Sequence, residues 1–201
     1  MELPRLSWMV ITIGLAIELL IGVAGFAVAW MLNKENLFET LSFGLRADVV
    51  ALGAALGLAA GLLIWLSVKT IRAFQRSRSM RVLEVLFGAT WLQAFLLCAV
   101  AACAEEILFR GALQPDLGIW ATALLFGLLH AYGKLYIVVA ILAGIGLGFL
   151  YQLSGSLPAA IAAHAIYNLT ILILIKTRLF PIAYEKRSNI GGESETAADA
   201  V

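Results

Sequence analysis

The sequence predicts an all-α protein, a polytopic bundle of about six membrane-spanning helices, and three observations carry that prediction. Hydrophobic residues make up 62% of the 201 positions and charged residues only 13%, where a soluble domain carries roughly 25% charged residues. Mean hydropathy is +0.96. The apolar residues fall in long runs separated by short polar or Gly/Pro breaks, the pattern of helices built to cross a hydrocarbon core about 30 Å thick. The net charge of +1 offers no basic surface, so nucleic acid is excluded as a partner and the lipid bilayer is the environment.

The first span covers about 8–32 and is too long for a cleaved signal core of about 7 to 15 residues, so it reads as an uncleaved anchor. Glu18 lies near its middle, and two readings stand open: a hydrogen-bonded structural group, or a carboxyl reaching a polar cavity. Residues 33–48 form a mixed-charge loop. The second span, about 49–68, carries Gly53, Gly57 and Gly61 at intervals of four, a ridge of small residues that admits a close helix neighbour. Residues 69–81, KTIRAFQRSRSMR, hold five basic residues and no acidic one, which places this loop in the cytoplasm with both termini.

The third span begins near 82 and runs to a turn at 114–118, QPDLG, where Pro115 and Gly118 mark a break. The fourth covers about 119–132, the fifth about 135–153 and the sixth about 159–176. Ala140, Gly144 and Gly148 give the fifth span a second small-residue ridge. The tail at 181–201 is polar and reads as disordered. The chain thus divides into N-terminal helices with the basic loop (1–81), a helical core (82–180) and the tail. Cys98 and Cys103 point about 140° apart on one helix, which rules out a local disulfide and leaves them as small buried hydrophobes.

The polar residues that remain are concentrated. In 102–113, ACAEEILFRGAL, three charges interrupt an apolar run, and each costs roughly 2.5 to 3.5 kcal/mol near a helix centre. Glu106 and Arg110 are one helical turn apart and neutralise each other, whereas Glu105 points about 100° away and is left over. The chain has two histidines, both inside expected membrane helices. Phe126 lies one turn before His130, and Asn168 one turn after His164. Counting rise from the two turns puts Glu105, His130 and His164 roughly 13, 18 and 10 Å deep, close enough in level to share one site between the third, fourth and sixth helices. A carboxylate, two imidazoles and a carboxamide around water are what amide hydrolysis requires: a base for water and donors for the oxyanion.

EEILFR (Glu105, Glu106, Arg110), FGLLH (Phe126, His130) and HAIYN (His164, Asn168), in that order on successive helices, resemble the three motifs of the CAAX protease and bacteriocin-processing (CPBP, or Abi) family of intramembrane endopeptidases. The resemblance covers about 103–168. It implies a membrane protease in which Glu105 and His130 activate water, His164 and Asn168 stabilise the oxyanion, and Glu106, Arg110 and Phe126 support the site. The family has been treated both as metalloproteases and as metal-independent glutamate proteases; a divalent metal such as zinc, if bound, would be held by Glu105, His130 and His164. The implied partner is a peptide or protein substrate in or near the membrane, and the implied location a bacterial cytoplasmic membrane. The chain departs from the eight spans of the CAAX endopeptidases, and with the basic loop inside its site lies nearer the outer face, which points to an exported peptide, a leader or a C-terminal sorting segment. A non-enzymatic regulatory membrane partner and a transporter are the competing readings; no internal repeat supports the latter.

Overall fold

The computed structural model describes residues 7–32, 46–70, 88–177 and 179. Every element among them is helical. Of the expected basic loop at 69–81, Lys69 and Thr70 close a helix, and 71–81 lie outside the described residues, as does the polar tail.

Helix α1 is Trp8–Met31, started by Ser7, whose side chain accepts from the Met9 amide, and α2 is Ala47–Thr70. Helix α3, Trp91–Glu106, starts at Trp91, where Thr90 and Gln93 form a reciprocal capping box; the expected start near 82 lies outside the described residues. It passes without interruption into a π-helical segment, Ile107–Leu113, and then into α4, Gln114–Leu129. Helix α5 is Lys134–Ser154 and α6 is Leu157–Lys176, capped by Ser156.

Among the described residues five helical stretches are long and apolar enough to cross a membrane, and the third of them covers Trp91–Leu129. It is not straight. The Phe109 and Phe126 rings lie 5.0 Å apart, whereas seventeen residues of straight helix would separate them by about 25 Å. The reversal occurs at Gly118, whose φ of 73° and ψ of 170° interrupt the helix. The expected third and fourth helices are thus the two arms of one hairpin. The second arm, 119–129, is about 16 Å long and goes only about halfway across the core. The fourth helix, expected over about 119–132, ends at Leu129, with Gly133 (φ 145°) turning the chain into α5.

A re-entrant tip must satisfy its own backbone. Here the His130 amide bonds to the Gly127 carbonyl at 3.1 Å, that of Tyr132 to His130 at 2.7 Å, and that of Ile137 to Gly133 at 3.0 Å.

Small residues set the packing. Gly14 and Gly22 of α1 face Leu97 and Ala104 of α3, and Gly25 faces Leu108 of the π-helical segment, so α1 and α3 run parallel. Ala112 packs on Leu157 and Ala94 on Leu172, so α6 runs antiparallel to α3. Gly53 and Gly57 of α2 meet Ala159 and Ala163 of α6, and Gly144 and Gly148 of α5 meet Ala123 and Ile119 of α4; both glycine ridges serve as expected. Cys98 is half-buried and Cys103 exposed, so the second cysteine is not the buried hydrophobe expected. Bundle ends carry interfacial anchors. At one end Lys176 bonds the Ala89 carbonyl and lies 5.0 Å from the Trp91 ring, with Lys69 over Trp65; at the other, Arg46 pairs with Asp48 at 2.7 Å.

Two stability predictions follow from these glycines. Gly118→Ala places a side chain in a backbone region that is essentially glycine-only. Nothing lies within 4 Å of its Cβ, so the cost is conformational alone, about 1–3 kcal/mol, read as a lower melting temperature in detergent. Gly57→Ala drives a methyl into the Ala163 carbonyl and should cost a similar amount, about 1–3 kcal/mol, by overpacking. Gly146→Ala, with open space around it, should leave the melting temperature unchanged or raise it slightly.

Candidate active site

Each polar residue singled out in the apolar runs is carried to the middle of the bundle by a different element. Helix α3 ends in Glu105 and Glu106, both buried, and the π-helical segment presents Arg110, fully buried. π-Helical turns interrupt α-helices frequently at functional sites. The re-entrant arm of α4 delivers His130 at its tip, and α6 delivers His164 opposite.

Glu106 is the structural centre. Its Oε1 accepts from Arg110 Nη1 at 2.9 Å and from His164 Nδ1 at 2.8 Å. Arg110 Nη2 donates onward to the Gly144 carbonyl of α5 at 3.1 Å. The pairing expected from spacing is therefore present, and it also reaches α5 and α6. One carboxylate oxygen ties three elements together.

Glu105 stands beside this brace. Its Oε2 lies 3.7 Å from His130 Nε2 and 4.0 Å from His164 Nε2, and it has no hydrogen-bond partner among the described residues. These gaps exceed a direct hydrogen bond and are of the size that a shared water or substrate atom would fill. His130 Nδ1 lies 2.7 Å from the Phe126 carbonyl oxygen; a carbonyl only accepts, so Nδ1 donates and the neutral ring keeps its Nε2 lone pair toward Glu105. His164 donates from Nδ1 to Glu106 and likewise turns Nε2 to Glu105.

Phe126 holds the group in place. Its ring lies 4.4 Å from the His130 ring, tilted by 36°, 6.0 Å edge-on from His164, and 4.8 Å from the Arg110 guanidinium. Asn168 sits one turn beyond His164, half-buried, and its carboxamide is not drawn into the Glu106 network. Glu105, His130 and His164 are thus brought together, with Glu106, Arg110 and Phe126 around them and Asn168 beside them on α6.

Sequence reasoning missed Tyr136. Its ring stacks on His130 at 6.1 Å and 28°, meets Tyr132 at 5.5 Å, and interacts electrostatically with Glu105 and Tyr167. The available signal was the four-residue spacing from Tyr132 to Tyr136 directly after His130. Apolar grooves of about 370 Å³ between α1 and α3 and about 500 Å³ between α2 and α5 lie outside this cluster.

A divalent metal on Glu105, His130 and His164 is the one cofactor the sequence allows. Among the described residues no group is close enough to hold an ion as placed: the Glu105 carboxylate stands 3.7 and 4.0 Å from the two imidazole Nε2 atoms, a few tenths of an ångström wider than donors about 2.1 Å from one tetrahedral ion. Glu105, His130 and His164 are the right donor types and would hold the ion if they closed by that amount. No step is derived through it.

Residues 87–170 match the family described as Type II CAAX prenyl endopeptidase Rce1-like. The chain is also 37% identical over 76 residues to the uncharacterized protein YpbD of Bacillus subtilis (strain 168), an alignment covering 36% of this chain and 40% of that protein. The chain therefore spans less than half the length of the curated relative it matches. No solved structure matches it at a significant level.

Proposed function

With residues 87–170 matching the Rce1-like family of type II CAAX prenyl endopeptidases, we propose that this chain is an intramembrane endopeptidase using glutamate-activated water. It would act as a multi-pass membrane protease on a protein substrate that meets it in or beside the bilayer. The observation that carries the mechanism is the convergence on Glu105 of two imidazole Nε2 atoms, each oriented by a hydrogen bond on its other nitrogen.

The steps follow from those orientations. Water between Glu105 and His130 loses its proton to the Glu105 carboxylate as its oxygen bonds the scissile carbonyl carbon. The developing oxyanion faces His164, which donates from Nε2 when it carries a proton on both nitrogens. Glu106 beneath Nδ1 stabilises that form, as a carboxylate behind a histidine does in hydrolytic triads. The Asn168 carboxamide supplies a second donor from the same helix face. Glu106, Arg110 and Phe126 fix the imidazoles and touch no reacting atom.

The substrate is a peptide or protein segment reaching mid-bundle depth, of the C-terminal CAAX type or an exported leader or sorting segment. The test is a comparison of peptide termini in membrane and secreted fractions from cells carrying wild type or Glu105→Ala at matched protein levels. A terminus present only with wild type supports the reading and names the substrate. Identical termini, with a phenotype that only deletion of the whole chain produces, would put a non-enzymatic regulatory partner in its place.

A further inference from the structure

Glu18 is a half-buried acidic group that the mechanism above does not use, and it lies outside the family-matched segment. On α1 it sits seven residues from Ile11 and seven from Gly25, both buried, so it occupies the middle of the seam that α1 presents to α3. Gly14 and Gly22, one turn to either side, face Leu97 and Ala104. That register puts Glu18 level with about Ala101, one turn before Glu105. Its Oε2 is buried with no hydrogen-bond partner among the described residues, and its carboxyl interacts electrostatically with Glu105, His130 and His164.

Charge bookkeeping decides its state. The groups facing this space are Glu18 from α1, Glu105, Glu106 and Arg110 from the α3 hairpin arm, His130 from α4, Tyr136 from α5, and His164 and Tyr167 from α6. Arg110 balances Glu106, and a doubly protonated His164 balances Glu105. Among the described residues facing this space no further cation is left for a third carboxylate, and an uncompensated charge on a carboxyl with a buried, unpartnered oxygen is disfavoured. Two carboxyls in one site with opposed environments are the usual arrangement of an acid beside a base.

We propose that Glu18 is the proton donor for the leaving amine, the general acid that complements Glu105; this rests on the hydrolytic reading above. After water has added, the oxyanion's electron pair re-forms the carbonyl, the C–N bond breaks with its pair on nitrogen, and Glu18 passes its proton to that nitrogen. Glu18 is then a carboxylate and Glu105 a carboxylic acid. Transfer of the Glu105 proton to Glu18 through water restores both, so that one water is consumed and one acid and one amine are released.

The leaving group provides the test. The probe is the peptide identified by Glu105-dependent cleavage, prepared with its scissile amide and with that amide replaced by an ester, which leaves readily without a proton. Glu18→Gln in full-length protein in liposomes should lower kcat on the amide by about 10²-fold or more, leave KM unchanged, and leave the ester within about threefold of wild type, whereas Glu105→Gln impairs both. Equal loss on amide and ester, or a change in KM alone, would overturn the assignment. Infrared difference spectroscopy of the same liposomes without substrate reads Glu18 independently of any activity. A carboxylic-acid carbonyl band at neutral pH that disappears in Glu18→Gln is expected; an unchanged band would mean Glu18 holds no proton to give. If Glu105→Gln cleaves like wild type, the hydrolytic reading itself fails, and the infrared result still stands on its own.

Discussion

Glu105→Gln is expected to lower the cleavage rate by about 10²- to 10⁴-fold, the range spanned by removing a positioned general base, while protein level and melting temperature stay near wild type. Glutamine keeps the size of the side chain and loses only the proton acceptor. Nothing in the fold depends on that carboxylate: its Oε2 carries no hydrogen bond among the described residues, and its nearest polar neighbours are imidazoles at 3.7 and 4.0 Å. The contrast with its neighbour is the informative part. Glu106 is adjacent in sequence and also buried, yet it is bonded to Arg110 and His164. Adjacent glutamates thus divide into one that braces and one that reacts. The check is a rate measurement on the wild-type cleavage peptide alongside thermal melts of both proteins.

Arg110→Met is expected to fail by stability instead. It leaves Glu106 buried at mid-membrane depth with no countercharge, and breaking a buried ion pair from one side costs about 3–5 kcal/mol. For a chain of this length that corresponds to a fall in melting temperature on the order of 10 °C, or to loss of folded protein from the membrane. The Gly144 carbonyl loses its donor as well. The double variant Glu106→Gln, Arg110→Met removes both charges, keeps an amide oxygen as acceptor for His164, and should recover part of the loss. Melts of wild type, the single variant and the double variant separate a charge effect from a packing effect.

The Glu106–Arg110 pair and the glycine ridges were legible because they depend only on local helical periodicity, which survives folding. The meeting of Glu105, His130 and His164 was legible because two turns, at 114–118 and 154–157, fix the depth of each residue by counting rise. What counting does not convey is where a helix stops. The fourth helix ends at Leu129, three residues before the expected 132; the His130, Gly133 and Lys134 that follow announced the break, but not that an arm of about 16 Å would stop at it. The π-helical segment at Ile107–Leu113 has no composition of its own and was therefore invisible. Tyr136 was missed because an aromatic residue at the start of a membrane helix reads as an interfacial anchor; only the re-entrant tip turns it onto His130. Glu18 was noticed as an anomaly, and the seven-residue spacing of Ile11, Glu18 and Gly25 already carried its direction.

The most direct test of hydrolysis by this chain is cleavage by the purified protein in liposomes, with no other protein present, of a peptide spanning the terminus found only in wild-type cells. The account predicts cleavage at that bond by wild type and its loss in Glu105→Gln. Equal cleavage by both proteins would remove Glu105 from the chemistry. Absence of cleavage by folded wild-type protein, where whole membranes cleave the same peptide, would contradict the central claim and assign the protease activity to another molecule.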